Sequence, residues 1–290
     1  MQFLKLLKII SLKEIKDKLF FFLVPLLKRL RIVKPRKWEI SPFKNLLKEL
    51  GKSGKVLEIG PFYQPILDGP NVKFFDVLDQ EGLMELAEKY NHNFAHKIPF
   101  VNKGKIPFID FVSENGDLKV IKENFDNVVS SHCIEHQPDL VQHLKDVSQI
   151  LYPQGKYYLI IPDKRYCFDH FNSESTLEDV LDAHQENRIK HSLRSVITHR
   201  LSMLTHNDPF MHWKGNHGKP SKDLGIIKQA LSEFQESNYI NVHAWYFTPE
   251  SFREILAGLN KLGMVDLQVE SLIPTRKNTY EFNVILNKSD

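Results

Sequence analysis

Short apolar runs alternating with helical spacings organise most of the chain. Lys55-Val56-Leu57-Glu58-Ile59 is apolar at nearly every position and stops at Gly60, the pattern of a strand buried on both faces. Val72-Lys73-Phe74-Phe75 repeats it and stops at Asp76, and residues 107–112, 125–130 and 157–161 give three more runs, the last closed by Pro162. Between them, residues 83–90 and 140–151 carry apolar side chains at helical spacing, and Pro153-Gln154-Gly155 is expected to stop the second helix. Thr248-Pro249-Glu250 opens another helix, with Thr248 as N-cap and Pro249 in the first turn, running to Gly263. Two β-rich stretches follow, 264–272 and 280–286. The polar link between them is too short for a parallel crossover, so the terminal strand should run antiparallel.

Strand, helix, strand in this order predicts an α/β protein with a doubly wound, Rossmann-like sheet, seven-stranded and mostly parallel. The first crossover, residues 61–71, is near the minimum length for such a unit, so its helix must be very short or irregular. Residues 164–247 show weak periodicity. A stretch that long inside a domain is expected to be functional, and it reads as an insert after the fifth strand.

Composition changes this picture at one end. Residues 1–37 hold eleven Lys or Arg against Glu14 and Asp17, net +9, which leaves 28 basic and 34 acidic residues, net −6, for the rest. An acidic body argues against a nucleic-acid partner. The basic head contains the apolar run 19–27, too short for a membrane span and interrupted by Pro25, and it lacks the flanks of a signal peptide. Phe3, Leu6, Leu7, Ile10 and Ile15, with lysines between, describe an amphipathic helix. Peripheral contact with an anionic membrane and packing on the body or a second subunit are equally good readings of it. The division is therefore a basic amphipathic segment, 1–37, and a catalytic domain, 38–290. Two cysteines, Cys133 and Cys167, are too few for a disulfide framework and fit a reducing, cytoplasmic setting, with the inner face of the membrane as the peripheral variant.

Ligands of open α/β sheets sit outside the carboxyl ends of the strands. Those ends here carry Glu58-Ile59-Gly60-Pro61, then Asp76, then Glu114 and Asp117, then Ser130-Ser131-His132-Cys133-Ile134-Glu135-His136, and finally Asp163-Lys164-Arg165-Tyr166 with Asp169. Gly60 lets a ligand approach the backbone, and Asp76 stands where a carboxylate accepts ribose hydroxyls.

With these residues the chain resembles the class I S-adenosylmethionine-dependent methyltransferases of the type 11 kind. The matching segments are VLEIGP (56–61), FFDVLD (74–79), FDNVVSSHCIEH (125–136), LKDVSQILYPQGKYYLIIP (144–162) and TYEFNVILNK (279–288), the last like that family's antiparallel closing strand. Within the family it looks most like bacterial members associated with surface-polysaccharide synthesis, through GPFYQP (60–65) and PDKRYCFD (162–169). The resemblance implies S-adenosylmethionine as cofactor, held by Glu58, Gly60, Pro61, Asp76, Glu114 and Ser131. It implies methyl transfer to an oxygen of a saccharide, glycan-linked or other small-molecule acceptor, with the insert as lid.

A general base for that reaction is expected from His132, His136 or Asp163, since an imidazole takes a hydroxyl proton near neutral pH. His136 reads equally well as a cap of the following helix. HCIEH also spells a zinc-peptidase pattern, but that pattern needs one continuous helix and Pro138 follows at once. The resemblance allows a divalent ion near this position; none is expected. Arg165, Tyr166, Asp169, His243 and Trp245 are the candidate acceptor contacts, with Arg165 either clamping an anionic group or pairing with Asp163 or Asp169. Trp213, Trp245, Tyr246 and Phe247 form either a sugar-stacking wall or core. Seven of the thirteen histidines lie between 170 and 217 of the insert, with His243 just before Trp245, and none is at tight ligand spacing.

Two rival readings remain. A nicotinamide-dependent oxidoreductase also places an acid after its second strand, but needs a G-x-G-x-x-G loop that is absent. A methyltransferase-like scaffold at a membrane, without catalysis, would explain the single glycine of the first loop but not the polar residues at four strand ends.

Overall fold

The computed structural model describes residues 42–52, 54–94, 106–237 and 239–289. The basic segment 1–37, and with it the expected amphipathic helix and membrane contact, lies outside the described residues. Among the described residues no helix is long and apolar enough to cross a membrane.

Helix α1 (Pro42–Leu50) leads into β1 (Val56–Ile59), followed by β2 (Val72–Asp76), α2 (Gln80–Phe94), β3 (Phe111–Val112), β4 (Phe125–Ser131), α3 (Leu140–Ile150) and β5 (Leu151–Pro162). Four helices then cross the insert: α4 (Leu177–Gln185), α5 (Leu193–Ser202), the single turn α6 (Pro209–His212) and α7 (Leu224–Glu236). Helix α8 (Pro249–Lys261), β6 (Leu267–Ile273) and β7 (Glu281–Lys288) close the chain.

The sheet has seven strands in the order β3-β2-β1-β4-β5-β7-β6. β1 lies between β2 and β4, and β1 to β5 are parallel. β7 runs antiparallel to both β5 and β6, as the short 274–278 link requires. Every residue of β1 is buried, because helices cover both faces. Leu57, Val128, Tyr157 and Leu159 face a core completed by α3 and by Phe252, Ile255 and Leu256 of α8. Val56, Val129, Tyr158 and Ile160 face Phe43 and Leu47 of α1 on the other side.

Three elements differ from the sequence pattern, each for a local reason. The third strand is only Phe111–Val112. Pro107 has no N–H for a ladder, and Ile106 and Ile109 pack with Leu83 and Ala87 of α2 instead. Helix α3 stops at Ile150, because Leu151 already pairs with Phe125. Pro153-Gln154-Gly155 is then a bulge inside β5, with Gln154 at φ 62°. The first crossover contains no helix.

The insert is pinned where it leaves and rejoins the sheet. Lys164 N–H donates to the Phe247 carbonyl (2.9 Å), and the N–H groups of Ala244 and Trp245 donate to the Glu135 carbonyl (2.7 and 3.2 Å). Val196, Ala230, Ile240 and Val242 give the insert its own small core.

Candidate active site at the carboxyl edge of the sheet

Register brings the polar strand ends to one level. Ile59 lies between Phe75 and Ser130, Ser131 pairs with Ile160, and Pro162 pairs with Glu281. Gly60, Asp76, His132 and Asp163 therefore leave the sheet along one edge. Because β7 is antiparallel, its first residue, Glu281, arrives at the same edge.

Gly60 has φ 69°, and a Cβ there would meet Cys133 Sγ at 3.4 Å. Glycine alone gives this turn both its left-handed backbone and its open side. Beside it, the buried Asp76 carboxylate accepts from the N–H of Phe62 (3.2 Å) and Val77 (2.7 Å). Burial pushes its pKa up, against the opposing pull of those amides. A carboxylate offers about four acceptor positions, so Asp76 keeps capacity for a hydroxyl donor. Gly60 and Asp76 thus fit the adenosine half of S-adenosylmethionine. Pro61 lies in the same loop, its carbonyl accepting from Gln64 N–H (3.0 Å), and Ser131 ends β4 opposite Ile160.

Glu58 does something else. Its carboxylate accepts from Ile66 N–H (2.9 and 3.1 Å, one to each oxygen) and Leu67 N–H (2.9 Å), so it stands in for the missing helix by holding the crossover loop. Burial raises its pKa to about 7, with those two amides opposing. Glu114 is exposed, and Asp117 caps the 3₁₀ turn Leu118–Val120 through Lys119 N–H.

The end of β4 turns through His132, at φ 51°, into a 3₁₀ turn, Ile134–His136. No continuous helix carries the two histidines, so the zinc-peptidase geometry is absent. His132 Nε2 donates to Glu281 Oε1 (3.0 Å), while its Nδ1 lies 3.5 Å from Glu135 Oε1. Burial disfavours its charge, but Glu135 and Glu281 overcome that and raise its pKa to about 10. As it stands His132 is a cation, not the expected base. Burial and the charge of His243 hold His136 down at about 3, so it is neutral.

Asp163 is not available as a base either. Its buried carboxylate accepts from Arg165 N–H (3.0 Å), from Arg165 Nε and Nη2 (2.9 and 2.7 Å) and from Thr275 Oγ1 (2.6 Å). The pair is the bidentate ion pair that was the alternative for Arg165. Arg165 Nη1 reaches Glu250 (3.5 Å), and the side chain remains 39% exposed. Tyr166 stacks on Trp213, centroids 4.0 Å apart with planes at 5°, and the indole N–H donates to the Thr279 carbonyl (2.8 Å).

Three other acceptor expectations give way to internal roles. Asp169, 1% exposed, accepts from His243 Nδ1 (2.6 Å) and Asn172 Nδ2 (3.0 Å). His243 turns its other nitrogen towards Glu135. Trp245 and Phe247 are core, the Trp245 indole donating to the Gln137 carbonyl (2.6 Å), so no aromatic wall forms there. Glu135 was read only as part of the fourth strand end, and His199, whose Nδ1 accepts from His243 N–H (3.0 Å), and Glu281 were missed in the sequence. The histidines without tight spacing do meet in space: His170, His212 and His217 form one group, and Glu135, His136 and His243 another.

Residues 81–159 match a family model described as a methyltransferase domain. No curated protein matches the chain. Among solved structures, the chain is similar to 1,6-didemethyltoxoflavin-N1-methyltransferase of Burkholderia thailandensis, crystallised with 1,6-didemethyltoxoflavin and S-adenosylhomocysteine. That likeness has 12% identity, covers 97% of this chain and 92% of that one, and has a TM-score of 0.42. It is also similar to an S-adenosylmethionine-dependent methyltransferase of Clostridium acetobutylicum (11% identity, 93% and 98% covered, TM-score 0.42). A third is magnesium protoporphyrin IX methyltransferase of Synechocystis, with bound S-adenosylhomocysteine (9% identity, 96% and 100% covered, TM-score 0.37). The matched segment, described as a methyltransferase domain, covers 79 of the chain's 290 residues. The match takes in β3, β4 and α3, and with them the His132–His136 turn.

Proposed function

We propose that the chain transfers a methyl group from S-adenosylmethionine to a hydroxyl oxygen, with a saccharide or glycan-linked molecule as acceptor. The observation that carries this reading is the adjacency of two sites on one sheet edge. Gly60 and Asp76 suit an adenosyl group, and Cys133, which faces the open side of Gly60, belongs to the turn that holds His132, Glu135 and His136. The cofactor supplies an electrophilic methyl on a sulfonium. Its carbon–sulfur bond breaks as the acceptor oxygen bonds to the methyl, the sulfur keeps the electron pair, and the hydroxyl proton leaves to the polar turn. The protein's part is alignment and a place for that proton.

Asp163 and Thr275 position Arg165, whose exposed edge suits an anionic group on the acceptor. The Tyr166–Trp213 stack beside it offers an aromatic surface to a sugar ring. The insert 164–247 is the acceptor lid. The basic segment 1–37, read from sequence, suits peripheral contact with a membrane carrying a lipid-linked glycan.

Methyl transfer from labelled S-adenosylmethionine to panels of saccharides and of amines tests this reading. The expected product is an O-methyl ether on a saccharide, located by NMR. Transfer to amines alone, or to neither panel by protein that binds the cofactor, contradicts it.

A further inference from the structure

Glu135 is fully buried, and neither oxygen of its carboxylate has a hydrogen-bond partner. An ionised carboxylate in that position is costly unless a cation meets it. Among the described residues, three histidines form ion-pair contacts with its carboxylate. His132 Nδ1, His136 Nε2 and His243 Nε2 lie 3.5, 3.8 and 4.0 Å from Oε1. None is a hydrogen bond, yet each spacing falls within the ~3.0–4.2 Å between two donors that share an ion at about 2.0–2.2 Å.

The outer partners point the same way. Asp169 accepts the Nδ1 proton of His243, and Glu281 accepts the Nε2 proton of His132. In its neutral tautomer the His243 ring then turns a bare lone pair towards Glu135, the carboxylate–histidine arrangement that orients metal ligands, while His132 stays the cation held between Glu135 and Glu281. The rings of His136 and His243 are at 89°, so one point can lie in both ring planes. His136 Nδ1 is also buried without a partner. The trio His170, His212 and His217 fails this test. His170 and His217 are stacked 3.5 Å apart with planes at 5°, and no ion can lie in both planes.

We propose that Glu135, His136 and His243 bind one divalent transition-metal ion, with Asp169 as the carboxylate that positions His243. His132, paired with Glu281, flanks Glu135 outside that set. Two imidazoles and a carboxylate suit zinc, manganese or iron(II), not magnesium. Three protein ligands leave a position open, and the side chains of His132 and His136, 31% and 20% exposed, mark the way in from solvent. There the ion would take the acceptor oxygen and lower the pKa of its hydroxyl. That role rests on the methyltransferase reading; the ion site itself does not.

The experiment is titration calorimetry of the chelator-treated full chain with zinc and with manganese, beside the metal content of the protein as purified. Circular dichroism and cofactor binding serve as controls of folding. One ion per chain is expected, with Glu135→Gln and His243→Ala each weakening it at least about 100-fold and Asp169→Asn about 10–100-fold. Folded wild type that binds neither ion below millimolar overturns the proposal, as does equally tight binding by Glu135→Gln. Loss of cofactor binding with ion binding intact counts against the methyltransferase reading alone.

Discussion

Residue identity at the ends of the strands was readable where one residue type has one physical use. Gly60, with its left-handed backbone, and Asp76, at the end of β2, stand where the sequence places them. Glu58 was readable as important but not in its role, because the need it meets arises from the loop and not from its own neighbours in the chain. It holds Ile66 and Leu67 and is protonated more readily in the folded state, with a pKa of about 7 against 4.5. A folded-state pKa raised in this way gives stability that is fully present below the unfolded pKa and lost as pH rises towards the folded one. Urea unfolding of wild type should therefore show stability falling between about pH 4.5 and 7, by on the order of 3 kcal/mol from this group. Glu58→Gln should lose that segment of the profile while keeping the rest. An unchanged profile would mean that Glu58 is not the titrating group. Asp163 and Asp169 show the opposite difficulty. Both follow the fifth strand, Asp163 read as a candidate base and Asp169 as an acceptor contact, and both are consumed by partners, Arg165 and His243, that only the folded chain brings to them.

At the scale of elements, capping chemistry was the most legible signal. Thr248 and Pro249 start α8 as expected, and Ser251 completes a capping box by reaching back to Thr248 N–H (2.9 Å). Thr248 Oγ1 also donates to Glu174 (3.2 Å), tying the helix start to the insert. Thr248→Ala should cost about 1–2 kcal/mol in thermal or urea unfolding, with Ser251→Ala costing less. Equal stability of Thr248→Ala and wild type would show that Pro249 alone sets the helix start. Pro153-Gln154-Gly155 was legible as a breaker but not as a bulge. The same residues end a helix or kink a strand, and the choice is made by Leu151 pairing with Phe125. The weak periodicity of 164–247 hid four helices, because α5 and α7 bury only a narrow stripe against each other around Val196 and Ala230.

Over the whole molecule, the alternation of runs was enough to predict the doubly wound sheet and the reversed last strand. It did not show what the reversal does. An antiparallel β7 begins at the edge where β1 to β5 end, so Glu281 reaches His132 across 149 residues of sequence. The return of the insert past the Glu135 carbonyl likewise brings His243 to Asp169 across 74 residues. Pairings of that length follow from topology and leave no trace in local spacing, which is why the polar cluster was seen only in its β4 half. The proposed reaction depends on Gly60 and Asp76 holding the cofactor at this edge. Calorimetric titration of S-adenosylmethionine into wild type and into Asp76→Ala, with circular dichroism to show both folded, tests it most directly. The expected result is micromolar binding that the substitution weakens by about 1.5–3 kcal/mol, the range for hydrogen bonds to a charged group. Folded wild type that does not bind, or an Asp76→Ala variant that binds equally well, would contradict it.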